Sequence, residues 1–103
     1  MNLISKPTLL YYVDKYPVAS TSLLVWYRDF LKVSFNNFNE LKSVYNNASI
    51  VANNRVIFNI KGNAFRLIVS INFRKQDTYL IWFGTHKEYD KIDAATIEYI
   101  DII

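Results

Sequence analysis

Cysteine is absent from the 103-residue chain, which removes disulfide scaffolds, thiolate metal sites and cysteine nucleophiles together. Glycine and proline occur only twice each, so long disordered linkers are not expected. Histidine occurs once. A metal site needs several convergent ligands, and one imidazole with scattered carboxylates supplies no such set, so no metal and no cofactor is expected. Neither a GxxxxGKS nor a GxGxxG loop occurs, which argues against nucleotide binding of the usual kinds. A serine–histidine hydrolase would also want a nucleophile elbow, and none is present. No apolar run approaches the roughly 18 residues that span a bilayer. The opening apolar stretch meets Lys6 and Pro7 almost at once and Asp14 soon after, so no signal-peptide core forms. The chain is expected to work in the cytoplasm, away from membranes.

What is abundant is apolar and aromatic: 51% hydrophobic and 17% aromatic residues, ample for one compact core and hence one domain over 1–103. The net charge of +3 is unevenly placed. Between positions 55 and 75 lie Arg55, Lys61, Arg66, Arg74 and Lys75 with no acidic residue, whereas from Glu88 onward acidic residues dominate. A basic stretch on a sheet suits a polyanion such as RNA, although solvated strand and turn charges produce the same pattern.

The periodicity divides the chain in two. Met1–Ser5 reads as an edge strand. Ser5 then caps a helix with Pro7 in its first turn, where a missing N–H is harmless, and Leu9, Tyr12, Val13 and Tyr16 share one face. Pro17 ends it. Ser20 or Thr21 caps a second helix striped by Leu23, Trp26, Tyr27, Phe30 and Leu31. A short third helix covers Asn39–Val44, and Asn46–Asn54, with its two Asn-Asn pairs, reads as a loop. From Arg55 the period becomes two, predicting strands over Arg55–Lys61, Ala64–Phe73 and Thr78–Phe83.

Gly62-Asn63 is a two-residue hairpin turn, and it predicts a register. Pairing Lys61 with Ala64 sets Ile60 against Phe65, Phe58 against Leu67 and Val56 against Val69. Those six, with Ile71 and Phe73, form the core face. The other face carries Arg55, Asn59, Arg66, Ser70 and Asn72, with Ile57, Ile68, Leu80 and Trp82 among them, and it is expected to be open. Cations, amides and an indole on one open face are the chemistry of a nucleic-acid groove. The fold class is α+β, in the order β-α-α(-short α)-β-β-β, with an antiparallel sheet packed under helices.

Two residues stand out on that frame. Arg66 lies mid-strand opposite Asn59, where a guanidinium can grip phosphate oxygens and stabilise developing charge, or else lie flat over Trp82 or Ile68. His86, just past the last strand, has a side chain suited to proton transfer near neutral pH, or is simply a polar turn residue. The pattern alone leaves both pairs of readings open. Lys61 and Lys87 flank the same end of the sheet, and Tyr89, one of eight tyrosines in the chain, lies within reach of His86.

The runs NRVIFNIKGNAFRLIV at Asn54–Val69 and WFGTHKEYDKID at Trp82–Asp93 resemble the HigB-type toxin family, in the RelE/ParE superfamily of bacterial type II toxin–antitoxin systems. The opening LIS at Leu3–Ser5 and the helix with Trp26-Tyr27 extend the resemblance over nearly the whole chain. It implies a RelE-like fold shared with small microbial ribonucleases, and a toxin that cuts mRNA, generally on translating ribosomes. It also implies neutralisation by a HigA-like antitoxin. By position, Arg66 corresponds to the strand arginine that contacts the scissile phosphate, while His86 and Tyr89 fall where such toxins place acid–base or stacking groups. The implied chemistry is metal-independent attack of the ribose 2′-OH on the adjacent phosphate. Arg55, Asn59, Lys61 and Lys87 would then hold RNA and Trp82 would stack on a base. The alternative is a non-catalytic RNA-binding or protein-interaction module using the same face, which predicts salt-sensitive binding without cleavage products. Glu98–Ile103 extend past the resemblance, and their alternation suits an added strand.

Overall fold

A computed structural model describes residues 1–99. The helices come first and the sheet second. Strand β1 (Asn2–Leu3) leads into α1 (Lys6–Lys15), and a 3-10 turn at Pro17–Ala19 turns directly into α2 (Ser20–Phe30). Helix α3 (Phe38–Val44) follows, with the Asn37 side chain accepting from the Glu40 N–H as its cap. Strands β2 (Ser49–Val51), β3 (Arg55–Ile60), β4 (Phe65–Asn72) and β5 (Asp77–Thr85) then run to a single helical turn, α4 (His86–Tyr89). The sheet order is β1-β5-β4-β3-β2. β2 to β5 form an antiparallel meander, while β1 joins β5 in parallel.

The predicted β3–β4 register is the observed one, with Val56, Phe58 and Ile60 opposite Val69, Leu67 and Phe65. The ladder stops one pair earlier than expected. Lys61 takes φ 52 and leaves the extended conformation, and the Ala64 N–H closes the turn on the Lys61 carbonyl. Gly62, at φ 63, occupies the first central position, where positive φ suits glycine.

The core face packs against the stripes of α1 and α2. Leu9, Tyr12, Leu23, Trp26 and Phe30 lie in one cluster with Val56, Phe58, Ile60, Phe65, Leu67 and Val69. Fully burying an aliphatic or aromatic side chain of this size contributes about 1.5–3 kcal/mol, so this seam dominates stability. Leu31, at the end of the predicted stripe, is exposed.

Four expectations require correction. The segment Asn46–Asn54 is not all loop: Ser49–Val51 pair with β3, and Asn53 and Asn54, at φ 66 and 59, form the hairpin turn. Asparagine tolerates this left-handed region, so the pair marks a turn between strands. Neither Ser20 nor Thr21 caps α2, because the 3-10 turn runs straight into it from Ala19. Ser5 stands at the N-cap of α1, but its hydroxyl accepts from the Leu80 N–H at 2.8 Å and gives the helix no side-chain bond.

The fourth correction concerns the second face. Ile68 pairs with Trp82 but Val69 pairs with Leu80, so Ile81 is an extra residue in β5. This bulge shifts the alternation: Leu80 joins the main core and Ile81 turns to the other side. Nor is that side fully open. Ile57, Ile68 and Ile81 are buried with Ala94, and Ile92, Ile97, Trp82 and Tyr89 pack against them. The segment after α4 therefore folds back over the middle of the sheet and leaves one end of this face accessible. Glu98 and Tyr99 form no strand, and the remainder of the predicted added strand, 100–103, lies outside the described residues.

Candidate nucleic-acid interface and active site

The accessible end is where β4 begins and β5 finishes. Arg66 sits there between two neighbours, Asn59 on β3 and Gly84 on β5. Its Nη1 donates to the carbonyls of Asn63 at 3.0 Å and Phe65 at 3.3 Å, which fixes the guanidinium beside the hairpin. The guanidinium carbon lies 5.9 Å from the centre of the Tyr89 ring, and that ring lies 6.2 Å from the Trp82 indole. Arg66, Tyr89 and Trp82 thus form one row. No carboxylate among the described residues pairs with Arg66, and Nε and Nη2 find no acceptor there. A charge fixed in direction but not neutralised is suited to a phosphate.

Gly84 makes the row possible. A Cβ at this position would come within 2.6–2.7 Å of the Trp82 ring and 3.2 Å of a Glu88 carboxylate oxygen. Only a glycine lets the indole lie flat along its own strand.

His86 starts α4. Its backbone N–H donates to the Ala64 carbonyl at 3.0 Å, so the turn is tied to the hairpin that carries Arg66. The imidazole is exposed, and its Nδ1 lies 3.8 Å from an Asp90 carboxylate oxygen one turn on. That carboxylate is placed to orient the ring. Asp90 had been read only as part of an acidic tail, although the i, i+4 spacing of His86 and Asp90 was a usable signal.

The turn is closed by a capping box. The Thr85 hydroxyl accepts from the Glu88 N–H at 3.1 Å, and the Glu88 carboxylate accepts from the Thr85 N–H at 2.9 Å. The same carboxylate oxygen accepts from the Tyr16 hydroxyl at 2.8 Å. The Thr85 amide, first among these donors, holds the Glu88 carboxyl below its ordinary range. Burial, reinforced by Glu88, pushes the Tyr16 phenol upward. The sequence Thr85-His86-Lys87-Glu88 carries the Ser/Thr-x-x-Glu signature of such a box, a signal beyond the residue types that single out His86 and Tyr89.

The remaining candidates divide. Asn59 and Lys87 are exposed near the Arg66 end, and Lys87 has no partner among the described residues. Lys61 belongs to the hairpin turn, but its ammonium donates to the Val18 carbonyl at 3.0 Å, on the helical side. Arg55 lies at the opposite end of the sheet. Its Nη1 donates to the carbonyls of Ala94 at 2.9 Å and Ile97 at 2.7 Å, so it clamps the covering segment. Arg74 and Lys75 fall in the turn between β4 and β5, again remote from Arg66, so the five cations of the basic stretch do not form one patch. A cavity of about 910 Å³ opens at the Arg55 end, lined also by Ser70, Tyr79 and Ile81. It contains none of Arg66, His86 and Tyr89, so the concentrated chemistry lies outside it.

Comparison with known proteins bears on the same stretch of chain. The family model of HigB toxins, the RelE-like toxic component of a toxin–antitoxin system, matches residues 19–92, from the start of α2 through α4. This chain belongs to the HigB toxin family. The mRNA interferase toxin HigB of Escherichia coli K12 is 30% identical over 97 residues, covering 92% of this chain and 93% of that protein. The mRNA interferase HigB of Shigella flexneri matches to the same extent. The mixed α+β architecture agrees with a RelE-like toxin, and membership of this family makes an antitoxin the expected partner. No helix among the described residues is long and apolar enough to cross a membrane.

Proposed function

We propose that this HigB-family toxin is an mRNA interferase, an endoribonuclease of the cytoplasm that cuts message, on the ribosome, at the Arg66 end of the sheet. One observation supports the placement: an arginine with no carboxylate partner among the described residues stands beside a tyrosine–tryptophan row and within the same hairpin junction as the only histidine of the sequence. Arg66 binds the scissile phosphate and stabilises the charge that builds on its oxygens as the adjacent 2′-OH attacks. The P–O5′ bond breaks, leaving a 2′,3′-cyclic phosphate and a 5′-OH end. His86, oriented by Asp90, takes up or delivers a proton, and Tyr89 and Trp82 offer flat faces to a base. Asn59 and Lys87 hold the flanking backbone, with Lys61 contributing if its ammonium swings from Val18. Arg55 serves the fold and not the RNA. The need for a 2′-OH makes DNA a non-substrate.

Induced expression in a bacterium lacking the antitoxin tests this reading. Growth arrests with loss of message, and co-expression of a HigA-like antitoxin restores it. Unaffected growth and intact transcripts, at confirmed soluble expression, would refute it.

A further inference from the structure

The turn that presents His86 and Tyr89 has four residues, far too few to hold helical shape alone, since nucleating a helix is unfavourable. Contacts from outside must fix it. The Ala64 carbonyl ties down its first residue, and the structure assigns the rest of that task to Tyr16 acting through Glu88, two positioning residues for RNA cleavage. The inference rests on the site proposed above.

Tyr16 comes from the helical layer on the other side of the sheet. It is the residue that ends α1, immediately before Pro17. Its ring meets Phe65 and Phe83 edge-on, with centroids 5.5 and 5.7 Å away, and both phenylalanines are buried. The half-buried ring thus packs against the core, and its hydroxyl reaches round the end of the sheet to Glu88. Phe65 immediately precedes Arg66, and Phe83 immediately precedes Gly84. One side chain therefore touches the strands that carry the phosphate-gripping arginine and bonds to the turn that carries the histidine.

Glu88 receives this bond and passes it on. Its Oε1 accepts from both the Tyr16 hydroxyl and the Thr85 N–H, so the bond that closes the turn and the bond that anchors it share one atom. His86 lies two residues before Glu88 and Tyr89 directly after it. A carboxylate loosened at this point lets both side chains drift from Arg66, and displacements of about 1 Å at a reacting centre can cost on the order of 100-fold in rate. A direct chemical role for Glu88 is the competing account, and it predicts a different response to glutamine, which keeps the accepting oxygen but not the charge.

Four variants of the full chain, assayed for single-turnover cleavage of message on loaded ribosomes, separate the accounts. Tyr16→Phe keeps the ring among the phenylalanines and removes the hydroxyl. It should slow the cleavage step on the order of 10-fold, the loss expected for one hydrogen bond to a charged group, with the apparent KM within about 2-fold. Glu88→Ala should lose at least as much, and Glu88→Gln should recover most of it. Tyr16→Phe combined with Glu88→Ala should be no slower than Glu88→Ala alone, because both remove one linkage. Amide exchange at Glu88 and Asp90 should rise in Tyr16→Phe while global unfolding stays close to the parent. Glutamine as damaging as alanine would overturn the inference in favour of direct carboxylate chemistry. So would Tyr16→Phe cleaving at the parental rate while Arg66→Ala is inactive. A parent that cuts no RNA would instead sink the underlying site.

Discussion

Arg66 gives one of its nitrogens to the Asn63 and Phe65 carbonyls, and the rest of its fork has no acceptor among the described residues, a division of labour that separates holding the side chain from using it. Replacing it with alanine removes a half-buried side chain and a cation–π contact worth about 0.5–1 kcal/mol, a small fraction of domain stability. The catalytic loss should be far larger, about 10²–10³-fold in the cleavage step, by analogy with a lost oxyanion donor. Thermal melting and single-turnover cleavage of Arg66→Ala measure the two independently; a variant that melts far below the parent would mean a structural arginine. His86→Gln makes the companion case. It retains hydrogen bonding and should slow cleavage by roughly 10²–10⁴-fold with RNA binding intact. An unchanged rate would reduce His86 to a turn residue.

At the scale of elements, the β3–β4 hairpin was readable in the sequence because Gly62-Asn63 sits between two alternating runs, and a slip by one residue would expose the core face. Other elements left weaker traces. β2 is only Ser49–Val51, too short to show alternation, and the asparagines around it signalled turn rather than strand. The bulge at Ile81 has no signature in a run of apolar residues, so Leu80 was placed on the wrong face. Ile92, Ala94 and Ile97 cover the sheet from a segment without periodicity, which is why that face looked open. Arg66 and His86 could be named from residue type and position, and Asp90 and Glu88 left local signals in their i, i+4 and capping-box spacings, whereas the long-range bond from Tyr16 to Glu88 emerges only when the last turn is folded.

Two tests belong to these elements. Arg55→Ala unties the covering segment from both carbonyls, and the loss of charged hydrogen bonds should cost about 1.5–3 kcal/mol in urea unfolding. A loss below a few tenths would mean that Ile57, Ile68 and Ile81 hold the segment unaided. The second test is pH. The Glu88 carboxyl is held below its ordinary value of 4.5, so the folded turn binds fewer protons than the unfolded chain in acid. Its stabilising contribution is complete above that value and disappears as pH falls through the lowered pKa. Amide exchange at His86–Asp90 should therefore accelerate on acidification, relative to the rest of the sheet, and should lose this dependence in Glu88→Gln. Equal behaviour of the two proteins would exclude the carboxylate as the switch.

The described residues form a helical layer, a mixed sheet and a returning segment that leave Arg66, Tyr89 and Trp82 together at one end of the sheet. The net charge of +3 is small, and with Arg55 tied to carbonyls and Arg74 and Lys75 remote, the proposed attraction for RNA rests on the end where Arg66 stands. In the proposed function, this end cuts message. The most direct measurement maps transcript 5′ ends, genome-wide, after inducing the parent or Arg66→Ala to equal soluble levels. New 5′-OH ends should accumulate inside coding sequences with the parent and be absent with Arg66→Ala. No new ends with the parent, or the same ends with the variant, would contradict the account.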